Sequence, residues 1–204
     1  MERTAIPTTV YAELTPNPAT MKFVANRLLV KEGINLEFFN KQQARPYSPL
    51  ADDLFNFPFV KSVFITANFV TITKTDTISW ELINQQLREY IRDFLQSNDA
   101  PVTAIPEKTE TVQAKPEQKI DSAPIEPSEY DEEIRKYLDE YVRPAVESDG
   151  GAIEFKSFKD GVVTVVLKGA CSGCPSSTVT LKQGIQTMLT TMLPAVKEVV
   201  AEEA

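Results

Sequence analysis

The chain has 204 residues, 42% hydrophobic and 25% charged, with a net charge of −8 and no histidine, which suits one large domain or two small ones with real cores. The acidic balance argues against a nucleic-acid surface, which needs clustered Lys and Arg, and no apolar run approaches the roughly 20 residues of a membrane span. The opening MERTAIPTTV carries Glu2 and lacks an apolar h-region, so it reads as neither secretory signal nor Arg-rich transit peptide. The expected compartment is therefore the cytoplasm. In that reducing setting, two close cysteines serve catalysis or metal binding more often than a structural disulfide.

Residues 1–97 read as a mixed α and β domain. YAEL at 11–14, LEFF at 36–39, VKSVFIT and FVTITK at 69–74 are strand candidates, and the last two are close enough to form a hairpin. Ser48-Pro49 followed by Asp52 and Asp53 marks a helix start, with a capping hydroxyl, a proline suited to the first turn and acids at the positive end of the dipole. Ile83, Leu87, Tyr90, Ile91 and Phe94 recur at helical spacing and predict an amphipathic helix over 77–96. For Trp80 and the phenylalanines, core packing is a plainer reading than a binding face.

Residues 98–127 form the clearest boundary. The surrounding stretch has five prolines and no glycine, aromatic residue or sustained apolar period, which predicts an extended, flexible linker.

Residues 128–204 form the second domain. Ser128 with Asp131 resembles a capping pattern. Ile134, Leu138, Tyr141, Val142 and Ala145 give an apolar helical stripe, which Pro144 is expected to kink or end. Gly150-Gly151 stops the chain. IEFKSF at 153–158 and VVTVVLK at 162–168 flank Asp160-Gly161, a strong hairpin signal. After the cysteines comes a helix with Leu181, Ile185, Met188, Leu189 and Met192 on one face, closed by Pro194. Val196–Val200 reads as a last strand. The order is α-β-β-α-β, and the fold class is α+β: two small mixed domains on a Pro-rich linker.

The chemistry concentrates in GACSGCPSS at 169–177, which holds Cys171 and Cys174, the only two cysteines. Pro175 suits the first helical position, which sets the pair at a helix N-terminus, where orphan N–H groups and the dipole lower a thiol's pKa. Lys168 is close enough to offset negative charge, although a solvated strand-end lysine is the plainer reading. Three functions remain open: a redox dithiol, half of a structural zinc site, or half of an iron–sulfur site completed by a second chain. A pair of buried small hydrophobes is the bland alternative.

Residues 129–201 resemble the NifU C-terminal (Nfu-type) domain along their length. The landmarks are Val142-Arg143-Pro144, Asp149-Gly150-Gly151, the strand after Asp160-Gly161, the cysteine motif itself and TLKQGI at 180–185. Residues 12–74 resemble the Nfu N-terminal domain at Thr15-Pro16-Asn17-Pro18, Met21-Lys22-Phe23, Ser48-Pro49-Leu50-Ala51 with Leu54-Phe55, and FVTITK. The pair Ala67-Asn68 departs from the Gly-x-Asp-like turn expected there.

The resemblance implies a non-enzymatic iron–sulfur cluster scaffold or carrier. It implies that Cys171 and Cys174 bind the cluster, [4Fe–4S] more than [2Fe–2S], bridging the two chains of a homodimer. It further implies apo iron–sulfur clients and cluster donors as partners, with no nucleic acid or membrane, and no ligand from the N-terminal domain, whose expected role is partner recognition. A thiol–disulfide oxidoreductase or zinc module is the alternative.

Overall fold

The computed structural model describes residues 7–98, 100–106, 128–172 and 175–203. The N-terminal domain is built on five antiparallel strands: β1 (Val10–Leu14), β2 (Thr20–Ala25), β3 (Asn35–Phe38), β4 (Val60–Thr66) and β5 (Phe69–Lys74), in spatial order β1-β2-β5-β4-β3. β2 does not stand out in the sequence because it lies between β1 and β5 and is buried almost throughout, which removes the in–out alternation that marks a half-exposed strand.

β4 and β5 form the expected hairpin, with Thr66 opposite Phe69. Ala67 turns the corner at a φ of 33°, in the left-handed region where a Cβ is unfavourable. The turn is held from outside. The Ala67 carbonyl accepts from Leu29 N at 2.7 Å and Val30 N at 3.2 Å, and the Asn68 carbonyl from Ala25 N at 2.8 Å. These bonds hold a conformation that glycine would adopt without help.

Three helices complete this domain: α1 (Lys41–Ala44), α2 (Pro49–Leu54) and α3 (Trp80–Ser97). Ser48 caps α2, its hydroxyl accepting from Ala51 N at 3.1 Å. α3 starts three residues later than its periodicity suggests and packs across β1 and β2. It buries Ile83, Leu87, Ile91 and Leu95, while Tyr90 and Phe94 flank that stripe. Trp80 packs against the same core and donates from Nε1 to the Pro18 carbonyl at 3.0 Å.

The stretch read as linker lies mostly outside the described residues. Its first part, 100–106, runs along the N-terminal domain: Ser48 Oγ donates to the Pro101 carbonyl at 2.8 Å and Thr103 N to the Tyr47 carbonyl at 2.8 Å.

The C-terminal domain has the expected order. α4 (Asp131–Tyr137), a π-helical turn (Leu138–Val142) and α5 (Arg143–Ser148) lead into β6 (Gly151–Lys159), β7 (Val162–Gly169), α6 (Pro175–Met192) and β8 (Glu198–Glu203). The sheet order is β6-β7-β8, antiparallel then parallel. The hairpin turns through Asp160 and Gly161, both at positive φ (54° and 88°), as a two-residue type I′ turn requires.

Two local expectations are refined. At Pro144 the helix does not end but continues to Ser148, and the irregularity expected there takes the form of a π turn just before it, which accommodates the missing proline N–H and the ring's clash with the preceding turn. Ser128 does not cap the first turn. Its hydroxyl accepts from Tyr130 N at 3.3 Å, and Tyr130 occupies the cap position without a side-chain bond.

Candidate cluster site

β7 ends at Gly169, whose φ of 65° swings the chain off the sheet. Ala170 N then donates to the Gly150 carbonyl at 3.2 Å, and Ser172 N to the Gly169 carbonyl at 3.1 Å. Cys171 therefore sits in a short turn between β7 and α6, laid against the start of β6. Its thiol packs on Gly151: a Cβ at residue 151 would lie 2.7 Å from Sγ and 2.6 Å from the Lys168 carbonyl. Gly151 makes the room that the thiol occupies. In the sequence, Gly150-Gly151 reads as a helix stop and as one of the NifU-type landmarks, and neither reading sets Gly151 against the thiol.

Cys171 is 6% exposed and belongs to the C-terminal core. Burial, with the Asp149 carboxylate second, pushes its thiol up to about 12. For Cys171 this is the opposite of the lowering expected near a helix N-terminus, since loss of solvent outweighs a dipole whose effect fades within one turn. Lys168 does not neutralise the thiol or point freely into water; its Nζ pairs with Glu154 Oε1 at 2.8 Å and is largely buried. Cys174, the other predicted site residue and the cysteine expected nearest the cap, lies outside the described residues, as does Gly173.

The structure also brings residues to this site that the sequence did not assign to it. The face of the N-terminal sheet turned away from α3 lies on the loops around Cys171. Asn17 Nδ2 donates to the Ala170 carbonyl at 3.2 Å and the Ser172 carbonyl at 3.3 Å, bridging the residues on either side of the cysteine. Thr71 Oγ1 donates to the Gly150 carbonyl at 2.6 Å, and Lys22 Nζ to the Ser148 carbonyl at 3.2 Å. Glu37 Oε1 accepts from Gly169 N at 3.2 Å.

Between these bonds, Phe64 and Phe69 pack on Ala152. Burial pushes the Glu37 carboxyl up to about 7 against the lowering influence of the Gly169 bond and of Lys168, with Glu154 raising it further. Its Oε2 is buried without a hydrogen-bond partner. No signal in the sequence marks these residues as neighbours of the cysteine, since they lie about 100 or more positions away along the chain.

Two family descriptions match the chain: "NifU-like domain" over residues 134–200 and "Scaffold protein Nfu/NifU N terminal" over residues 10–98. The chain belongs to the NifU/Nfu family. Among its relatives, the human "NFU1 iron-sulfur cluster scaffold homolog, mitochondrial" is 37% identical over 186 residues, covering 91% of this chain and 68% of that protein. The Drosophila erecta protein of the same name is 39% identical over 189 residues, covering 91% of this chain and 62% of that one.

A solution structure of a NifU-like protein from Saccharomyces cerevisiae superposes with a TM-score of 0.45 at 20% identity, over 50% of this chain and 92% of that one. The expectation of a cytoplasmic protein is corrected by the relatives, which are named mitochondrial. Charge and composition do not carry that address.

Proposed function

We propose that this chain is a scaffold and carrier for iron–sulfur clusters, and not an enzyme. Cys171 and Cys174 of two protomers hold one cluster, [4Fe–4S], and pass it to apo-clients. The observation that carries this reading is the placement of the C-x-x-C motif between β7 and α6 of a NifU-type domain whose relatives are named iron–sulfur cluster scaffolds.

The donor chemistry fits. A cluster takes four thiolates, and a chain with two cysteines and no histidine reaches that number by pairing with a second copy. Transfer is then ligand exchange, in which client thiolates replace these sulfurs one at a time. A cargo held by two sulfurs from each chain can leave, as a fully enclosed one could not.

The relatives weigh against the alternative of a thiol–disulfide oxidoreductase. That chemistry needs an accessible thiolate, and Cys171 is 6% exposed in the C-terminal core; the cluster reading needs the same sulfur brought out, but it alone is supported by relatives named iron–sulfur cluster scaffolds. Iron and acid-labile sulfide analysis of anaerobically reconstituted protein tests the proposal. Roughly two irons and two sulfides per chain in a dimer is the expected result for a shared cube. A stable intramolecular disulfide with no iron uptake would favour the redox reading instead.

A further inference from the structure

We propose that the second face of the N-terminal sheet is a docking surface for this chain's own cysteine loop, and that docking and cluster binding exclude one another. The inference rests on the scaffold reading.

The N-terminal domain makes most of its polar contacts on two loop segments, 148–150 and 169–172, which enclose Cys171; outside them Asn35 Nδ2 donates to Glu154 Oε1 at 3.4 Å. Ser148, Gly150, Ala170 and Ser172 offer carbonyls to Lys22, Thr71 and Asn17, and Gly169 offers its N–H to Glu37. The Asn17 amide spans the cysteine from one flanking carbonyl to the other. A cluster shared between two chains needs both sulfurs of each loop at the surface, facing a second copy across a two-fold axis. The docked domain holds the backbone on both sides of Cys171, whose thiol is 6% exposed within the C-terminal core, so bringing the sulfur to the surface requires the held loop to move.

The contact is built to release. Its apolar part is small, being Phe64 and Phe69 on Ala152 with Val24 alongside. Its polar bonds can be replaced by water, and Glu37 Oε2 is left without a partner in the docked state. An unsatisfied buried acceptor opposes docking. The N-terminal domain keeps its own core between sheet and helices when it leaves. The closed arrangement thus protects the apo loop, and cluster arrival with a second protomer displaces it.

The test uses the full chain, with amine-reactive labelling of Lys22 followed by mass spectrometry on apo and reconstituted protein. In the apo chain Lys22, whose Nζ is held by the Ser148 carbonyl, is expected to be protected from the reagent. On cluster loading, Lys22 loses that protection. Thr71→Arg places a bulky cation in the contact and at the solvent surface once the domains part. It should remove that protection in the apo chain and speed cluster uptake about ten-fold, the equivalent of 1.4 kcal/mol, with the final iron per chain unchanged.

Asn17→Ala acts in the same direction and serves if the arginine variant does not fold by circular dichroism. Protection of Lys22 that persists in a fully loaded dimer overturns the exclusion while leaving the scaffold reading intact. A chain that takes up no cluster, variants included, overturns both.

Discussion

Thr71 Oγ1 and Gly150 meet across the domain boundary at 2.6 Å, and the glycine sits at a φ of 83° with no room around it. A Cβ at residue 150 would lie 3.1 Å from that hydroxyl, 3.2 Å from Thr15 and 3.3 Å from Lys22. Gly150→Ala therefore meets a left-handed backbone penalty of about 1–2 kcal/mol and pushes on three N-terminal side chains. The expected result is a lower unfolding midpoint of the C-terminal domain together with loss of the protection of Lys22 from amine-reactive labelling. Thr71→Ala should reproduce the second effect without the first.

Gly151→Ala should be the more damaging change. Its Cβ would meet the Lys168 carbonyl at 2.6 Å and Cys171 Sγ at 2.7 Å, and the first of these is backbone that cannot rotate away. Overpacking of this kind typically destabilises by about 1–3 kcal/mol. Denaturant titration should show that loss. A Gly151→Ala protein as stable as the unaltered chain would argue that the close packing of residue 151 on Lys168 and Cys171 does not fix this loop.

The buried carboxyl of Glu37 gives the domain contact a pH dependence whose sign is fixed. Its folded value, about 7, lies above the ordinary 4.5, so the docked state binds the proton more tightly than the parted one. The stabilisation is complete below about pH 4.5, declines as pH rises, and is gone above about 7. The difference amounts to something on the order of 3 kcal/mol at 1.36 kcal/mol per unit. The charged groups facing it are Lys168, which works against the shift, and Glu154, which works with it. Glu37→Gln keeps an acceptor for Gly169 N without the charge. Interdomain distance from paired fluorophores, followed from about pH 5 to 8, should show progressive opening in the native chain and none in the variant.

Either cysteine replaced by serine removes two of the four thiolates in a shared site. Cys171→Ser and Cys174→Ser are each expected to reduce stable iron to background while far-ultraviolet circular dichroism stays native. If one of them retained the iron content of the unaltered chain, the assignment of ligands would be wrong.

The legible parts of the sequence were those governed by local chemistry. Ser48-Pro49 gave a capped helix, Asp160-Gly161 gave a hairpin, and the α-β-β-α-β order of the second domain could be read without a structure. What escaped reading depends on partners distant in the chain. β2 lacks alternation because neighbours cover both of its faces, and Ala67 holds a glycine-like φ only through bonds from residues 25–30. The helix past Pro144 survives through a π turn, which has no sequence signature. At the site, Cys171 and Gly151 were visible, but the thiol's burial and the roles of Asn17, Lys22, Glu37 and Thr71 arise from a contact between domains.

The interdomain bonds around the cysteine share one property: on the C-terminal side they end on main chain, at Ser148 O, Gly150 O, Gly169 N, Ala170 O and Ser172 O. The N-terminal domain reads the path of that backbone and is indifferent to most of the side chains it carries. Ser148 and Ser172 are consequently free to drift in sequence without loosening the fit, whereas the buried Ala170 and the glycines that set the path are not. Mutational tolerance in this loop should follow backbone geometry in place of residue chemistry, and a foreign loop tracing the same course would be gripped as readily as the native one.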